Sequence, residues 1–593
     1  MNFESYFSRL QIIKLLCNLR AKHAKKVHDL HFHSNVSRAA KSPHFNQNEI
    51  YDFFPSRKEW IRLKKQERHQ RKLSTVETNV IQLERTIKKF TSKFKKEKPS
   101  KWFIKLENFI EEVRHKALQD ENYIIPNPQI ISAEKDKKNC IYRPITLFDL
   151  QEKIIISQTA KYFIDLFDVL FEDCSYAFRS NRRHSKKHYT HHQAIIDIIT
   201  FKRNFKGKDL WVAESDLQKF YDTVNHIVVK KALEDKIKEF NEKYPTNKLD
   251  ERAIRFFDLY LNSYTFNKHV QTLGKNFWKS KKGKFEWVKH SEIENVGSNP
   301  FYDCIGVPQG GALSCFIANL VLDSVDKQVL EKNISNDPEL FYARFCDDMV
   351  IIHPDRQKCQ EALDRYNCAL TEIKLISHTP KEIKKYTKDF WTAKSKKPYK
   401  WADKKMQEGN VPWLSFVGYQ ISFDEKVRVR PKSIHKELNK QVREAGKILR
   451  ILKKDPNSIR LKRKAILFRL QQRMISMSVG RIKLTKKFKL NAHSNLNHFS
   501  WAEGFKVLKK YDIISSQLKT LDRNRELQLW RVRKKLNTLD KIDRLGNQAI
   551  RLNKNLRVPG YYGYDFSYYG QFDRGYIRKS NDALALDFAE GEG

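Results

Sequence analysis

The chain has 593 residues, of which 115 are Lys or Arg and 70 are Asp or Glu, giving a net charge of +45, and 40% are hydrophobic. That length holds several domains with cores of ordinary size, and the apolar fraction excludes a disordered basic tail. So large a positive excess points to a polyanionic partner, nucleic acid above all.

The cysteines at 17, 140, 174, 304, 315, 346, 359 and 368 include no CxxC pair. This argues against a zinc knuckle or a disulfide framework and fits a reduced, cytoplasmic setting. No run approaches roughly 18 uncharged apolar residues, so no membrane span is expected. The N-terminal stretch carries Glu4 and Arg9 and lacks a small-residue cleavage site, which reads as an amphipathic helix and not a signal peptide.

In chain order, residues 1–120 read as a basic helical region. Phe7, Leu10, Ile13 and Leu16 fall at helical spacing, a second helical pattern follows Ser74 in a capping-box-like Ser-x-x-Glu, and Arg57 to Lys72 reads as a dense basic helix. From about Tyr123 the pattern changes to loops and short strands, with Lys135, Lys137, Lys138 and Arg143 ahead of a helix starting near Asp149. Residues 182–192 are rich in bases and include His184, His188, His191 and His192. No carboxylate or thiol accompanies those histidines at ligand spacing, so contact with a nucleic-acid backbone or plain solvent exposure is expected.

Leu210 to Ser215 reads as a strand delivering Asp216 at its end, with Tyr221 five residues beyond. Residues 234–300 form an insertion whose second half looks like a basic hairpin around Lys282 and Gly283. Gly306 to Asp323 places a Pro308-Gln309-Gly310-Gly311 turn at the mouth of an apolar helix. Phe341 to Phe345 and Met349 to His353 have strand character, and Cys346, Asp347 and Asp348 lie between them as a hairpin turn. Taken alone, a diacid turn is most simply a solvated surface turn.

An acid-ended strand, a Gln-Gly turn opening a helix and a diacid hairpin in this order resemble the reverse transcriptases. Asp216 matches the acid of their motif A, Pro308-Gln309-Gly310 that of motif B, and Phe345-Cys346-Asp347-Asp348 the aromatic-X-Asp-Asp box of motif C. The segment around Arg143 and Pro144 is similar to the fingers of group II intron and retron-like enzymes, Ser175 to Arg179 resembles their Ser-Tyr-Gly-Phe-Arg stretch with Ala177 in place of Gly, and Trp413 to Tyr419 resembles the motif E primer grip. Three departures stand out: Ala177, Ser314-Cys315 where Ser-Pro is frequent, and Phe345 where Tyr is more usual.

The resemblance implies an α+β right-hand polymerase with fingers, palm and thumb and largely helical N-terminal and C-terminal additions. The expected layout is fingers and palm at 121–425, a helical thumb at 426–500, and a C-terminal extension at 501–593 with an aromatic and glycine-rich tail. The implied chemistry is metal-dependent nucleotidyl transfer making DNA, RNA-directed or untemplated. Two Mg2+ ions, or Mn2+, would be held by Asp216 and Asp347, with Asp348 in support of the catalytic pair.

By the same resemblance Arg143 and Lys138 would meet the incoming deoxynucleotide triphosphate. Tyr221 would exclude a 2′-hydroxyl, Gln309 and Gly310 would lie against the nucleotide, and Phe416, Gly418 and Tyr419 would hold the primer. Lys381 is the candidate general acid, with Lys384 and Lys385 as rivals. Phe220, beside Tyr221, reads equally well as core.

Partners implied are RNA and DNA, a non-coding RNA or a partner reverse transcriptase, and a second copy of the chain. The overall pattern most resembles bacterial defence-associated reverse transcriptases, with type 3 the subtype suggested, and implies a role in phage restriction. A group II intron maturase that chiefly binds RNA and an RNA-directed RNA polymerase are the alternatives. The tail at 561–576 leaves base stacking, docking and protein priming open.

Overall fold

The structure is a computed structural model that describes residues 2–34, 48–64, 66–67, 73, 75–179, 189–205, 207–271, 284–330, 337–382, 386, 388–403, 409–454, 463–479, 503–511, 513–546 and 567–573. Ser74, Arg182, His184, His188, the expected hairpin tip at Lys282 and Gly283, Lys384, Lys385 and most of the tail lie outside the described residues. The chain divides into two compact units, one of Met1–Ile12, Ile110–Glu425 and Lys579–Gly593, the other of Ile13–Phe109 and Lys426–Arg578. Among the described residues no helix is long and apolar enough to cross a membrane.

The first unit is α+β. A basic hairpin, β1 (Gln129–Asp136) and β2 (Ile141–Leu147), pairs antiparallel from Gln129 opposite Leu147, and the short β4 (Lys284–Phe285) lies parallel to β2. The helix Leu150–Phe167 follows, with Asp149 at its N-cap as the sequence indicates. The central sheet has the order β5-β6-β3-β7, from β5 (Phe341–Phe345), β6 (Asp348–His353), β3 (Leu210–Asp216) and β7 (Lys396–Trp401). Its neighbours are antiparallel throughout.

Helix Ala312–Leu330 lies between β3 and β5 in sequence, and Arg356–Glu372 between β6 and β7. This is the split β-α-β arrangement of a ferredoxin-like layer, in which strands distant in sequence become neighbours. β3 is buried over most of its length because it is central, whereas its last residue, Asp216, emerges partly exposed at the sheet's end.

Aromatic rings fill the space behind the sheet. Phe316 stacks on Phe163 at 5.3 Å and on Phe167 at 6.0 Å, and Phe257 meets Phe163 edge-on at 5.7 Å. These contacts tie the helices Leu150–Phe167, Glu251–Asn262 and Ala312–Leu330 together. The Ser175 to Arg179 stretch is fastened by its arginine. Arg179 pairs with Asp168 at 2.7 Å and donates to the carbonyls of Glu172, Ser175, Asp168 and Phe171.

A second buried arginine lies directly under the diacid turn. Arg344 donates from Nε and Nη2 to the two oxygens of Asp326, at 2.8 and 2.6 Å, and from Nη1 to the Cys346 carbonyl at 3.2 Å. Both side chains of the ion pair are 1% exposed.

The N-terminus differs from the expected stripe. Phe3–Phe7 form a separate turn, the long helix runs from Arg9 to Ser34, and Leu10 is 60% exposed. Within the first unit, Phe3 packs edge-on against Tyr162 at 5.1 Å and the Tyr6 hydroxyl donates to Asp165 at 2.8 Å.

In the second unit the helices Pro431–Lys454, Arg463–Val479 and Ile514–Gly546 share one core that includes Ile448, Leu452, Leu470, Met474, Val532 and Leu536. Residues 57–64, expected in a basic helix, form turns and extended chain instead. Hydrogen bonds that a helix would not make hold this path: Trp60 Nε1 donates to the Pro55 carbonyl at 3.1 Å and Ile61 N to Thr86 Oγ1, 25 residues on, at 2.9 Å. The described part of the tail, residues 567–573, is docked and not extended. Asp522 accepts from the backbone of Tyr568 and Tyr569, and the buried Tyr568 hydroxyl donates to Glu437 at 2.8 Å.

Removing one partner of a buried pair leaves the other charge uncompensated, an effect of about 3–5 kcal/mol, whereas replacing both with apolar residues is far milder. Arg344→Met is therefore expected to destabilise the protein by about that amount in urea unfolding, and Arg344→Met with Asp326→Leu to recover most of it. Equal loss in the double variant would show that the pair is not the anchor.

Candidate active site

The register of β3 against β6 sets Asp216 opposite Asp348 across the ladder. Directly opposed residues of antiparallel strands have Cα atoms about 4.5–5.5 Å apart, so the two acids share one end of the sheet. Asp347 occupies the tight turn beside them, entered through Cys346 at φ 57°, in the left-handed region. Burial together with the charge of Asp216 pushes the Asp347 carboxyl up to about 6. Asp348 is exposed.

Lys394 reaches this group, with Nζ 2.7 Å from Asp216 Oδ2 and 3.3 Å from His378 Nε2. Burial and then the charge of Lys394 hold the His378 imidazole below its usual range. Lys381, the lysine singled out from sequence, contributes backbone contacts here: its N–H donates to the Ser395 carbonyl at 3.1 Å and its carbonyl accepts from Lys397 at 3.0 Å.

Tyr221 lies in the short helix Phe220–Thr223, its hydroxyl 3.4 Å from Cys346 Sγ, beside the diacid turn. Burial raises its phenol well above the ordinary value. Phe220 is core, 2% exposed.

The loop after Tyr221 is zipped to the Gln-Gly turn. Val307 N donates to the Tyr221 carbonyl and Gly306 N to the Val224 carbonyl, both at 2.8 Å. Gln309 Nε2 donates to the buried Asp222 at 2.6 Å. Burial outweighs that bond and pushes the Asp222 carboxyl up to about 6. The Gln309 carbonyl accepts from both N and Oγ1 of Thr146, at 3.0 and 2.9 Å, joining the turn to β2.

The two glycines of the turn are needed for different reasons. Gly310 has φ 105°, a backbone open to glycine alone in practice. At Gly311 a Cβ would fall 1.9 Å from the Tyr260 hydroxyl, which bonds Ser314 Oγ at 2.7 Å.

Around Asp222 stands a group of cations from separate segments. Arg143 is exposed on β2, and Lys135 and Lys219 share Glu286 at 3.5 and 2.9 Å. Burial and the nearby Lys219 push the Lys135 ammonium down to about 8. Lys138 lies in the β1-β2 turn, its backbone N–H donating to Asp136 at 2.9 Å.

The primer-grip candidates form a tight hairpin of β8 (Trp413–Phe416) and β9 (Tyr419–Ser422), turned through Val417 and Gly418 with φ 42° and 83°. Phe416 and Tyr419 are buried. His191 and His192 belong to this hairpin and not to solvent. His192 Nε2 lies 2.7 Å from the Tyr419 hydroxyl, and His191 stacks on Tyr419 at 5.9 Å and meets Phe345 edge-on at 6.2 Å. Burial pushes His191 down to about 4 and His192 well below its usual range, so both are neutral rings tying the helix His191–Arg203 to two hairpins.

The fold is thus that of a right-hand polymerase palm, with acids from β3 and the β5-β6 turn brought to one end of the sheet. Residues 135–401 match the family model described as Reverse transcriptase (RNA-dependent DNA polymerase), and the chain carries a domain of that family. The group II intron-encoded protein LtrA of Lactococcus lactis subsp. cremoris is 24% identical over 269 residues, 45% of this chain and 33% of that protein. An uncharacterized 91 kDa protein in cob intron of Schizosaccharomyces pombe is 25% identical over 192 residues, 32% of this chain and 18% of that protein. The chain therefore spans about a third or less of the curated relatives it matches. Among solved structures, apo telomerase from Candida Tropicalis aligns with TM-score 0.35 at 11% identity, covering 90% of this chain and 79% of that one. Telomerase from Candida albicans, solved with a fragment of telomeric RNA, aligns with TM-score 0.32 at 12% identity, covering 74% and 60%.

A carboxyl whose affinity for protons rises on folding favours the fold below its unfolded value, and that contribution disappears as pH climbs through the folded value. For Asp347 the window runs from 3.8 to about 6. Asp347→Asn should therefore be more stable than the parent at pH 7.5, by no more than roughly 3 kcal/mol, since a tenfold change in proton affinity is about 1.4 kcal/mol. The gain should vanish below about pH 4. Asp222 has the same sign, so the pH slope is reduced and not abolished. Melting midpoints of the two proteins that differ equally at every pH would contradict the raised Asp347 carboxyl.

Proposed function

We propose that the chain is a DNA polymerase, RNA-directed or untemplated, acting by metal-dependent nucleotidyl transfer at Asp216 and Asp347. The observation that carries the proposal is the convergence of motif A and motif C acids at one sheet end within a reverse transcriptase domain. The donor set suits hard divalent cations. Burial and then the charge of Asp216 push the Asp347 carboxyl up, and the ammonium of Lys394 already stands against Asp216. Among the described residues no cluster of three or more His, Cys, Asp or Glu completes a cage. Magnesium keeps waters and takes substrate phosphates as ligands, so two acids of the protein are enough to hold it. When bound, such a pair activates the primer hydroxyl and offsets charge on the departing pyrophosphate.

The remaining roles follow from this chain's own side chains. Arg143, with Lys135 and Lys219 and with Lys138 at the hairpin tip, offers positive charge to a triphosphate, and Arg143 adds a planar fork that can grip two oxygens. Tyr221, with its ring fixed beside the diacid turn, excludes a 2′-hydroxyl by occupying its space. The carbonyl of Gln309 is committed to Thr146 and its amide to Asp222, so the turn presents the nucleotide with a fixed backbone at Gly310. Asp348 supports the field of the pair. The hairpin of Phe416, Gly418 and Tyr419 positions the primer, and the helices of the second unit at 431–454 and 463–479 serve as thumb. Proton donation to pyrophosphate falls to Lys394, with Lys381 the weaker candidate on placement. The biological role proposed is phage restriction, which rests on the sequence likeness set out above.

Asp216→Asn and Asp347→Asn should each abolish deoxynucleotide incorporation on primed RNA and DNA templates, while Tyr221→Ala should retain incorporation and accept ribonucleotides. Incorporation surviving in either Asp variant would overturn the assignment of the acids. Unchanged sugar discrimination in Tyr221→Ala would remove that residue's role. Sequencing nucleic acid that co-purifies with the protein from cells, with and without phage, should recover newly made DNA that is lost in Asp347→Asn and rises on infection. An infection-independent yield would count against the defence role.

A further inference from the structure

The chain enters the Gln-Gly turn through residues 296–304, and this loop carries two adjacent aromatic rings into solvent. Phe301 is 66% exposed and Tyr302 is 81% exposed. The backbone beneath them is fixed. Asn299 Oδ1 accepts from Phe301 N at 2.9 Å and Tyr302 N at 3.3 Å, and Asn299 N donates to Asp303 Oδ2 at 2.9 Å. Asn225 Nδ2 bonds Ser298 Oγ and Asp303 Oδ2, at 2.9 and 3.0 Å, and Asn267 Nδ2 bonds the carbonyls of Pro300 and Asp303, at 3.0 and 2.6 Å. Side chains from two other elements therefore hold the loop in one shape, and the rings project from a rigid base.

The surroundings are aromatic, with two exposed lysines and with Glu292, which accepts from Lys289 N at 3.3 Å. His290 meets Phe301 edge-on at 5.1 Å, and Trp287 meets His290 at 5.7 Å. Lys289, next to His290, is exposed, and Lys268, also exposed, lies with Nζ 3.2 Å from Cys304 Sγ. The acid of the loop itself, Asp303, has one carboxylate oxygen engaged by Asn225 and Asn299. Two residues past Tyr302 the chain is tied to the active-site segments, since Cys304 O accepts from His226 N at 3.0 Å and Gly306 N donates to Val224 O at 2.8 Å.

We propose that Phe301 and Tyr302 form a base-stacking site for single-stranded nucleic acid, with Lys268 and Lys289 facing its phosphates. Every base offers a π face, so such a site is tolerant of sequence, and each stacked base adds binding free energy, while the fixed loop backbone lowers the ordering cost of presenting the rings. The inference rests on reading the chain as a nucleic-acid polymerase. It adds a contact outside the acids, the triphosphate cations and the primer hairpin, at the loop that leads into the Gln-Gly turn. A sequence-tolerant grip at that point holds a strand in register without reading it.

The test is fluorescence anisotropy of the full chain with a labelled single-stranded 20-mer, in the absence of nucleotide and divalent metal. Phe301→Ala and Tyr302→Ala should each weaken binding by about tenfold, Phe301→Trp should preserve it, and an abasic 20-mer should bind parent and variants alike. Melting midpoints should be unchanged, because both rings are exposed. Parent-like affinity of the double alanine variant for the 20-mer would overturn the site, including the case in which the rings prove to hold a protein partner instead. Equal weakening on the abasic strand would also overturn it, since the rings would then act without bases. A parent protein that fails to incorporate nucleotides yet shows ring-dependent binding would sink the polymerase reading and leave this site standing.

Discussion

Everything at the centre of this protein depends on forcing like charges together. Asp216 faces Asp348 across two paired strands, with Asp347 in the turn beside them, and carboxylates so placed repel. The backbone ladder from Trp211 opposite His353 to Asp216 opposite Asp348 supplies the restraint. A slip of one residue would turn the strand's side chains to the opposite face, so the buried run Val350 to His353 fixes the register that brings the acids together. Arg344 adds a second restraint from below, bonding both oxygens of Asp326 and the Cys346 carbonyl, so the turn is anchored to the helix Ala312–Leu330.

A second joint makes the surrounding loops one body. The loop after Tyr221, the Gln-Gly turn and β2 are linked by the pairs Val307 with Tyr221, Gln309 with Asp222, and Thr146 with Gln309. The Gln-Gly turn is the hub: displacing it breaks bonds to both of the others, and displacing either of those breaks bonds to the turn. Arg143 is carried on β2 within this joint, and Lys135 and Lys219 adjoin it, held by their shared Glu286. The neutral pair His191 and His192 plays the same part on the other side, where a charge would be costly and the rings instead pack on Tyr419 and Phe345.

What could be read from the sequence was what local pattern encodes. The strand ending at Asp216, the helix behind Asp149, the diacid hairpin and the apolar helix after the Gln-Gly turn all carry a period or a cap within a dozen residues. Lys394, Lys219 and His378 were missed because their partners are remote: Lys394 lies 178 positions from Asp216, and nothing local distinguishes it from other lysines in a very basic stretch. The demand on Gly311 was equally hidden, since it arises from Tyr260 more than fifty residues earlier. Residues 57–64 carried helix-like composition, but Trp60 and Ile61 found hydrogen-bond partners that a helix would not provide. His191 and His192, expected to meet a nucleic-acid backbone or solvent, are half-buried for the same reason, with Tyr419 more than two hundred residues away.

The distribution of charge gives the proposed site its selectivity. A chain at +45 draws in any polyanion over a distance set by the ionic strength. At the end of β3 the sign reverses, because Asp216 and Asp347 meet an approaching phosphate with repulsion that Lys394 offsets by a single charge. Attraction at long range therefore gives way to repulsion at contact. A polyanion that arrives with divalent cations reverses that local penalty, whereas one without them is held at the basic surface around it. For the proposed site, the acids would then mark where chemistry takes place, and the excess of lysine and arginine what reaches it.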